Sequence, residues 1–412
     1  MDSPEARAPS NPPWLFGRQG LAVLALVAAL AATFLVVDLA FLAGCLLLVG
    51  LLGKGWSAVS LVRVQFARRP LAERAFCGDD IEIEATLANP RPLPLPWLEV
   101  WERLPAALDP EGTVERSFAQ PNAVWVQRGL SLWPYQRLRW RRQLHCRQRG
   151  VYRLGQVRLR TGDPLGFFER ERTVDPQSET TQILVYPRVV PVRRLALPFH
   201  HPSLDVTSPR SLVTDPTRTA TVRDYRPDDP LRLIHWPTTA RRGEVQVRVL
   251  EPATSLHVSL VMDVRGFTFG IYRGELLELA LSALASIAVY LQDNGFPVAW
   301  FANGNPPVAI APGASVAHLQ HVLESMARLE PVAGPPLMPW ALAELPRGST
   351  LVLAASEMSS DLARAQSQLE AAGLSTLLLL AVSRSPSRSK MHRDALYLSP
   401  GADVAATLEG RA

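Results

Sequence analysis

Residues 256–301 read LHVSLVMDVRGFTFGIYRGELLELALSALASIAVYLQDNGFPVAWF, and this stretch decides the fold. Leu256 to Met262 is a short apolar run closed by Asp263, the pattern of a strand buried on both faces. Glu275 to Leu291 then spaces Leu276, Leu279, Ala280, Ala283, Leu284 and Ile287 by threes and fours, one face of a helix. Gly295 ends that helix as a C-terminal cap, and Val298 to Phe301 is a second buried strand before an Asn303-Gly304 turn. Strand, long helix, strand is a crossover unit, and crossover units build parallel sheets. Further along, the pattern predicts a helix over 315–329, a strand over 350–355, a helix over 361–371, and strands over 374–382 and 395–398. Residues 252–412 are therefore expected to form a doubly wound α/β domain. Ligands of such folds sit outside the carboxyl ends of the strands, which points at Asp263 and at Ser356-Glu357.

Upstream the period changes. Ile81, Ile83, Ala85 and Leu87 alternate with Glu82, Glu84 and Thr86, and short runs follow at 98–100, 138–140, 157–159 and 183–185. Turn residues separate them, so residues 62–192 are expected to be an Ig-like β-sandwich. Asp163-Pro164 reads as a turn whose carboxylate caps backbone amides. Residues 193–221 have no periodicity and are expected to be a linker. Residues 222–251, VRDYRPDDPLRLIHWPTTARRGEVQVRVLE, crowd six arginines among acids and two large aromatics. They read as a loop, a helical turn stopped by Pro237, and a strand over Val245, Val247 and Val249. Most of that charge is expected to satisfy itself, with the Arg/Asp pairs and Trp236 fastening the two domains together, and His235 playing a structural part.

At the front, residues 1–15 are a polar, proline-rich tail expected to be disordered. Leu21 to Gly53 is almost unbroken in apolar residues, too long for one crossing of about 30 Å. Two spans, 16–37 and 39–61, with a tight turn near Asp38, fit better. Arg18 precedes them, and Lys54, Arg63, Arg68 and Arg69 follow, so both ends are expected in the cytoplasm. The expected location is the inner or cell membrane, multi-pass, with the soluble domains cytoplasmic.

The chain of 412 residues has a net charge of +5 and 36 prolines. Acids are interspersed among the bases and no nucleic-acid motif is present, so nucleic acid is not an expected partner. Cys45, Cys77 and Cys146 are too few and too scattered for a disulfide framework or a zinc site, which fits a reducing compartment. There is no phosphate-binding loop, nucleophile elbow or zinc-binding helix motif.

The run R-D-Y-R-P-D-D-P-L-R-L-I-H-W at 223–236, followed by A-R-R-G-E, resembles the motif of a bacterial family catalogued as domain of unknown function fifty-eight. Asp228 stands where members usually have glycine. Segments 149–155 (RGVYRLG), 163–168 (DPLGFF) and 185–187 (VYP) match the same family's pattern. The resemblance makes Arg223, Tyr225, Arg226, Asp229, Arg232, Trp236 and Arg241 the motif and interaction residues of this chain. It also implies a von Willebrand factor A-like second half, in which a D-x-S-x-S loop binds a divalent metal. Here Arg265 and Phe267 occupy both hydroxyl positions, and Arg265 is placed to pair with Asp263. Magnesium needs a near-octahedral oxygen shell, so no metal or other cofactor is expected, with Asp263, Ser356 and Glu357 the weak candidates. The resemblance further implies a MoxR-type AAA+ ATPase as partner. The expected function is that of a membrane-anchored, non-enzymatic interaction or scaffold protein working with that ATPase in the assembly or activation of other proteins. The alternatives are a metal-dependent hydrolase using Asp263 and Glu357, or polyanion binding through the arginines.

Overall fold

A computed structural model of the chain describes residues 13–34, 36–111, 114–116, 122–175, 182–195, 214–226, 233–252, 258–268, 272–332, 334–337, 345, 350–358, 360–371, 375–383 and 395–410. The chain divides into two compact units, Met1–Tyr186 and Pro187–Ala412.

The first unit opens with a 3₁₀ turn at Trp14–Phe16, then α1 (Arg18–Thr33) and α2 (Val37–Ser60). Helix α1 ends at Thr33 and α2 begins at Val37, so the break falls just ahead of Asp38. Asp38 lies in the first turn of α2, where a carboxylate faces the positive end of the helix dipole. Among the described residues two helices are long and apolar enough to cross a membrane: α2, 17% buried over its most apolar window, and Arg273–Asp293, 67% buried. The second is a core helix of the other unit. The 24 residues of α2 rise about 36 Å at about 1.5 Å each, against a hydrocarbon layer of about 30 Å.

Strands follow: β1 (Gln65–Pro70), β2 (Arg74–Phe76), β3 (Asp80–Ala88), β4 (Leu95–Pro105), β5 (Val114–Arg116) and β6 (Ala123–Leu132). After them come β7 (Arg137–His145), β8 (Gly150–Arg153), β9 (Val157–Gly162), β10 (Glu169–Val174) and β11 (Gln182–Tyr186). Strands β1-β3-β7 and β10-β9-β4-β6-β5 form two antiparallel sheets, and β2-β11-β8 a third with β2 parallel to β11. The predicted alternation in β3 holds: Ile81, Ile83, Ala85 and Leu87 are buried while Glu82, Glu84 and Thr86 are not. The inward residues of β3 and β7 meet those of β4, β6 and β9 in two apolar clusters, one around Ile83, Leu104 and Leu144, the other around Leu87, Val100 and Leu159.

A charged group lies buried between the same strands. Glu102 of β4 is fully buried; Arg68 of β1 reaches its Oε2 at 3.4 Å and Arg142 of β7 its Oε1 at 3.4 Å. The guanidiniums also donate to backbone carbonyls, Arg68 to Gly155 O and Arg142 to Glu111 O, each at 2.7 Å. One carboxylate thus ties a strand of the five-stranded sheet to both edge strands of the three-stranded one. Burial pulls the Arg68 guanidinium below its usual pKa, and Glu102 opposes that shift.

The foot of α2 is held by the same unit. A helix leaves its last four carbonyls without internal partners. Here Arg170 donates to Ala58 O at 3.1 Å and Arg172 to Leu61 O at 3.1 Å, while Arg91 donates to the carbonyls of Val59 and Ser60. Three cations at the negative end of the helix dipole are also electrostatically favourable.

The second unit contains β12 (Thr214–Asp224), α3 (Trp236–Arg242), β13 (Gln246–Pro252), β14 (Val258–Met262), α4 (Arg273–Asp293), β15 (Val298–Ala302) and β16 (Val308–Gly313). It continues with α5 (Val316–Arg328), β17 (Thr350–Ala355), α6 (Ser360–Ala371), β18 (Ser375–Ala381), β19 (Ala395–Leu398) and α7 (Val404–Leu408). Strand β12 begins inside the stretch expected to be a linker and pairs antiparallel with β13. The main sheet has the order β16-β15-β14-β17-β18-β19, all parallel except the edge strand β16. The expected βαβ unit is present, and α4 ends with Gly295 at φ 76° and Phe296 N–H bonded to Leu291 O, a C-terminal glycine cap. The chain leaves β14 toward β15 and later returns to β17 on its other side, so the switch point lies between β14 and β17.

Replacing Glu102 by Gln leaves two buried guanidiniums without a counter-charge. We expect the unfolding free energy to fall by about 3–5 kcal/mol in urea titrations of Glu102→Gln. Breaking the exposed Arg364–Asp361 pair should cost no more than about 1 kcal/mol.

Candidate functional site

The carboxyl ends of β14 and β17 lie side by side, Met262 opposite Ala354. Asp263, the first residue beyond β14, is half-buried. Its Oδ1 accepts the Arg265 amide at 3.2 Å, capping a 3₁₀ turn over Val264–Phe267, and also the Asn303 Nδ2 at 2.8 Å. Its own amide donates to Ala354 O at 2.9 Å. Asn303 is fully buried: Oδ1 accepts Val264 N–H at 2.7 Å and Nδ2 donates also to Pro335 O at 3.2 Å. Ser356, beyond β17, is buried and donates its hydroxyl to Gly266 O at 2.7 Å. A Cβ on Gly266 would come within 2.2 Å of the Ser356 Oγ, so only glycine permits this contact. Glu357 is exposed, and Phe267 is fully buried.

Asp263 and Ser356 are therefore brought to one place, where the Asp263 Oδ1 and the Ser356 hydroxyl hold two loops together. The expected pairing of the Arg265 cation with Asp263 is not made: only the Arg265 backbone amide reaches the carboxylate, and the guanidinium side chain is exposed. The sequence marks Asn303 only as a turn residue. It is the clasp of the site, and its place at the carboxyl end of the strand beside the switch point was the available signal. A magnesium ion needs about six oxygens in a regular shell. One half-buried carboxylate, a committed hydroxyl, and a buried phenylalanine in a hydroxyl position do not fit it. Among the described residues, no three His, Cys, Asp or Glu side chains group as metal ligands.

Of the arginine-rich stretch, Asp229 and Arg232 lie outside the described residues. The rest forms the end of a hairpin. Tyr225 N–H donates to Val245 O at 3.0 Å, and His235 N–H donates to Gln246 O at 2.8 Å. Gln246 is fully buried and is the hub: its amide donates to Thr239 Oγ1 at 3.0 Å and its Nε2 to Asp224 Oδ1 at 2.5 Å. Pro237 does not stop a helix here; it sits in the first turn of α3, where its missing N–H costs nothing. The His235 ring caps the same helix by accepting the Thr238 amide at 3.3 Å, and Gly243 ends it at φ 77°. His235 is thus structural, as the sequence reading has it.

Arg223 is half-buried and donates to Asp224 O at 3.0 Å, Tyr225 is half-buried, and Arg226 and Arg241 are exposed. Trp236 is 67% exposed. Arg241 and Arg242 lie on the same short helix.

Residues 221–371 match the family model described as "Protein of unknown function DUF58". The match runs from the end of β12 to the end of α6 and takes in both the hairpin and the switch point. It is the family that the run at 223–236 resembles. The chain is 25% identical over 290 residues to the "Uncharacterized protein YeaD" of Bacillus subtilis (strain 168), an alignment covering 69% of this chain and 67% of that protein. Among solved structures, a CARDB domain from Pyrococcus furiosus aligns at 12% identity and TM-score 0.18, over 30% of this chain and 93% of that one. A cohesin module from Clostridium perfringens aligns at 9% identity and TM-score 0.20, over 30% of this chain and 96% of that one. A beta-glucosidase from Listeria innocua aligns at 12% identity and TM-score 0.17, over 27% of this chain and 16% of that one. At such TM-scores these likenesses carry no argument about this chain.

Replacing Asn303 by Ala strands the buried Val264 amide and removes a donor from Asp263. Chemical denaturation of Asn303→Ala should show a loss of about 1–3 kcal/mol, the cost of an unsatisfied buried polar group.

Proposed function

We propose that the protein is a membrane-anchored interaction scaffold with its soluble units facing the cytoplasm, and that it works with a MoxR-type AAA+ ATPase in the assembly or activation of other proteins. In this reading α1 and α2 form a membrane hairpin, and the sheet-on-sheet packing of residues 62–192 is an Ig-like sandwich. The second unit is a von Willebrand A-like domain whose metal loop has been replaced by a self-contained clasp. The strand order with its antiparallel edge supports that assignment.

Trp236 carries the reading: an indole 67% exposed, on a seven-residue helix inside the family-matched region, with Arg241 and Arg242 exposed beside it. Tryptophan and arginine are the residue types in which interface binding energy concentrates. A short helix capped at both ends and tied to a buried glutamine presents them rigidly, which lowers the ordering cost of association. The cytoplasmic orientation is supported by the basic residues at the foot of α2, Arg63, Arg69, Arg91, Arg170 and Arg172. The partner's identity comes from the family resemblance. A metal-dependent hydrolase using Asp263 and Glu357 has no observation in its favour, since Asp263 is occupied by amide donors and Glu357 lies exposed.

Native pull-downs from membranes test this. The unaltered chain should enrich an AAA+ ATPase, and Trp236→Ala combined with Arg241→Ala should weaken that capture by more than about tenfold, as loss of a hot spot does. Failure to enrich any ATPase, or capture indifferent to the double substitution, contradicts the proposal.

A further inference from the structure

The loop between β9 and β10 carries the family-like segment Asp163–Phe168. It lies against the hairpin well above the foot of α2. A Cβ on Gly53 would meet the Phe168 ring at 3.2 Å and the Asp163 Oδ2 at 3.4 Å. The Phe167 ring stacks on Phe16 with centroids 4.4 Å apart, and a Cβ on Gly50 would meet Phe16 at 3.0 Å. Gly53 precedes Ser60 by seven residues, so Phe168 sits about 10 Å up the helix from its end. Helix α2 outruns the hydrocarbon layer by only about 6 Å. The loop therefore stands at a level where a spanning α2 has already entered the bilayer.

Its chemistry suits that place. Pro164 and Leu165 are exposed at the tip, Leu165 by 62%, and the next large side chains are two phenylalanines. Backbone donors in an apolar medium must be satisfied internally. Pro164 has none. The Leu165 amide donates to Asp163 Oδ2 at 3.1 Å, the Phe168 amide to Asp163 Oδ1 at 2.6 Å, and the Gly166 amide to Asp163 O at 3.1 Å. The Asp163 carboxylate is itself fully buried, so the one charge that folds the loop is kept off its surface.

A neighbouring turn presents aromatics beside the same helix end. Trp133 to Gln136 closes with Gln136 N–H on Trp133 O at 3.2 Å, and Tyr135 occupies the position with φ 55° that ordinarily takes glycine. Trp133 and Tyr135 are 67% and 70% exposed, and the Tyr135 amide is bound to the carbonyl of Arg91, whose guanidinium caps α2. Tryptophan and tyrosine gather where membranes meet water.

We propose that the loop Pro164–Phe168 is a third membrane-embedded element, dipping Leu165 into the boundary between headgroups and acyl chains of the bilayer that the hairpin spans. This rests on reading α1 and α2 as membrane spans. The test uses the full-length chain in lipid nanodiscs, with the photo-crosslinking amino acid p-benzoyl-phenylalanine replacing one residue at a time: Leu165, Phe41 of α2, or Phe76. Phe76 is 37% exposed and adjoins the start of β3, whose nine residues put it about 30 Å from the end that meets α2. The Leu165 side chain is exposed and makes no hydrogen bond, so the substitution keeps the fold, which a melting curve matching the unaltered chain verifies. The expected result is lipid adducts by mass spectrometry at positions 41 and 165 and none at 76. Adducts at 41 with none at 165, or adducts at 165 and 76 alike, overturn the loop's insertion and leave the anchor standing. No adduct at 41 removes the anchor itself, and the inference with it.

Discussion

The end of α2 sets a constraint from which much of the first unit follows. Its last carbonyls have no partners inside the helix, and three guanidiniums from two separate parts of the β unit supply them. Arg91 comes from the connection between β3 and β4, and Arg170 and Arg172 come from β10. Each contact brings its own segment to the helix: the Arg91 carbonyl holds the Tyr135 turn, and β10 follows the loop that packs on Gly53. The β unit is thus placed on the hairpin by directional bonds as well as by apolar contact. Directional bonds fix orientation where apolar area alone would not.

The same economy continues inward. Strand β1 leaves the helix four residues after Leu61 and carries Arg68, which shares Glu102 with Arg142. A buried ion triad contributes little net stability compared with an apolar core of the same volume, but it tolerates few arrangements. The apolar clusters on either side could be filled by many side chains of the right size. The second unit uses neutral polar groups for a similar end. Asn303 and Gln246 are both fully buried amides, each joining three pieces of backbone or side chain. At the switch point the result is a closed clasp in the place where doubly wound folds ordinarily open toward a ligand. Within the family-matched region α3 presents an exposed indole with Arg241 and Arg242 exposed beside it.

Much of this was legible in the sequence where periodicity was strong. The strand and helix flanking Asp263, and the glycine that ends the helix, follow from spacing alone. Strand β16 does not: it is an edge strand that alternates half-exposed and exposed residues directly after a proline pair, so neither face reads as a core. Strand β12 lies in threonine-rich sequence with little apolar signal, so most of it reads as linker. Pro237 misled because proline is compatible with both ends of the local pattern, and only the His235 cap decides between them. The Glu102 triad was beyond reach, since its partners lie 34 and 40 residues away and nothing local selects them. Asp163, by contrast, caps backbone amides as an Asp-Pro turn predicts.

The bonds at the foot of α2 fix the β unit rigidly to the α1–α2 hairpin, and native cysteines allow a direct measurement. Cys45 is exposed on α2 and Cys77 lies half-buried in the β unit; no disulfide involves either. Cys146 is buried, and burial pushes its thiol up to about 11, so it stays protonated and slow to react near neutral pH. Spin labels on Cys45 and Cys77 of the full-length chain in nanodiscs report the distance between hairpin and β unit by pulsed electron resonance. The account predicts one narrow distance distribution, broadened when Arg91, Arg170 and Arg172 are replaced together by alanine. A broad distribution in the unaltered chain would contradict it.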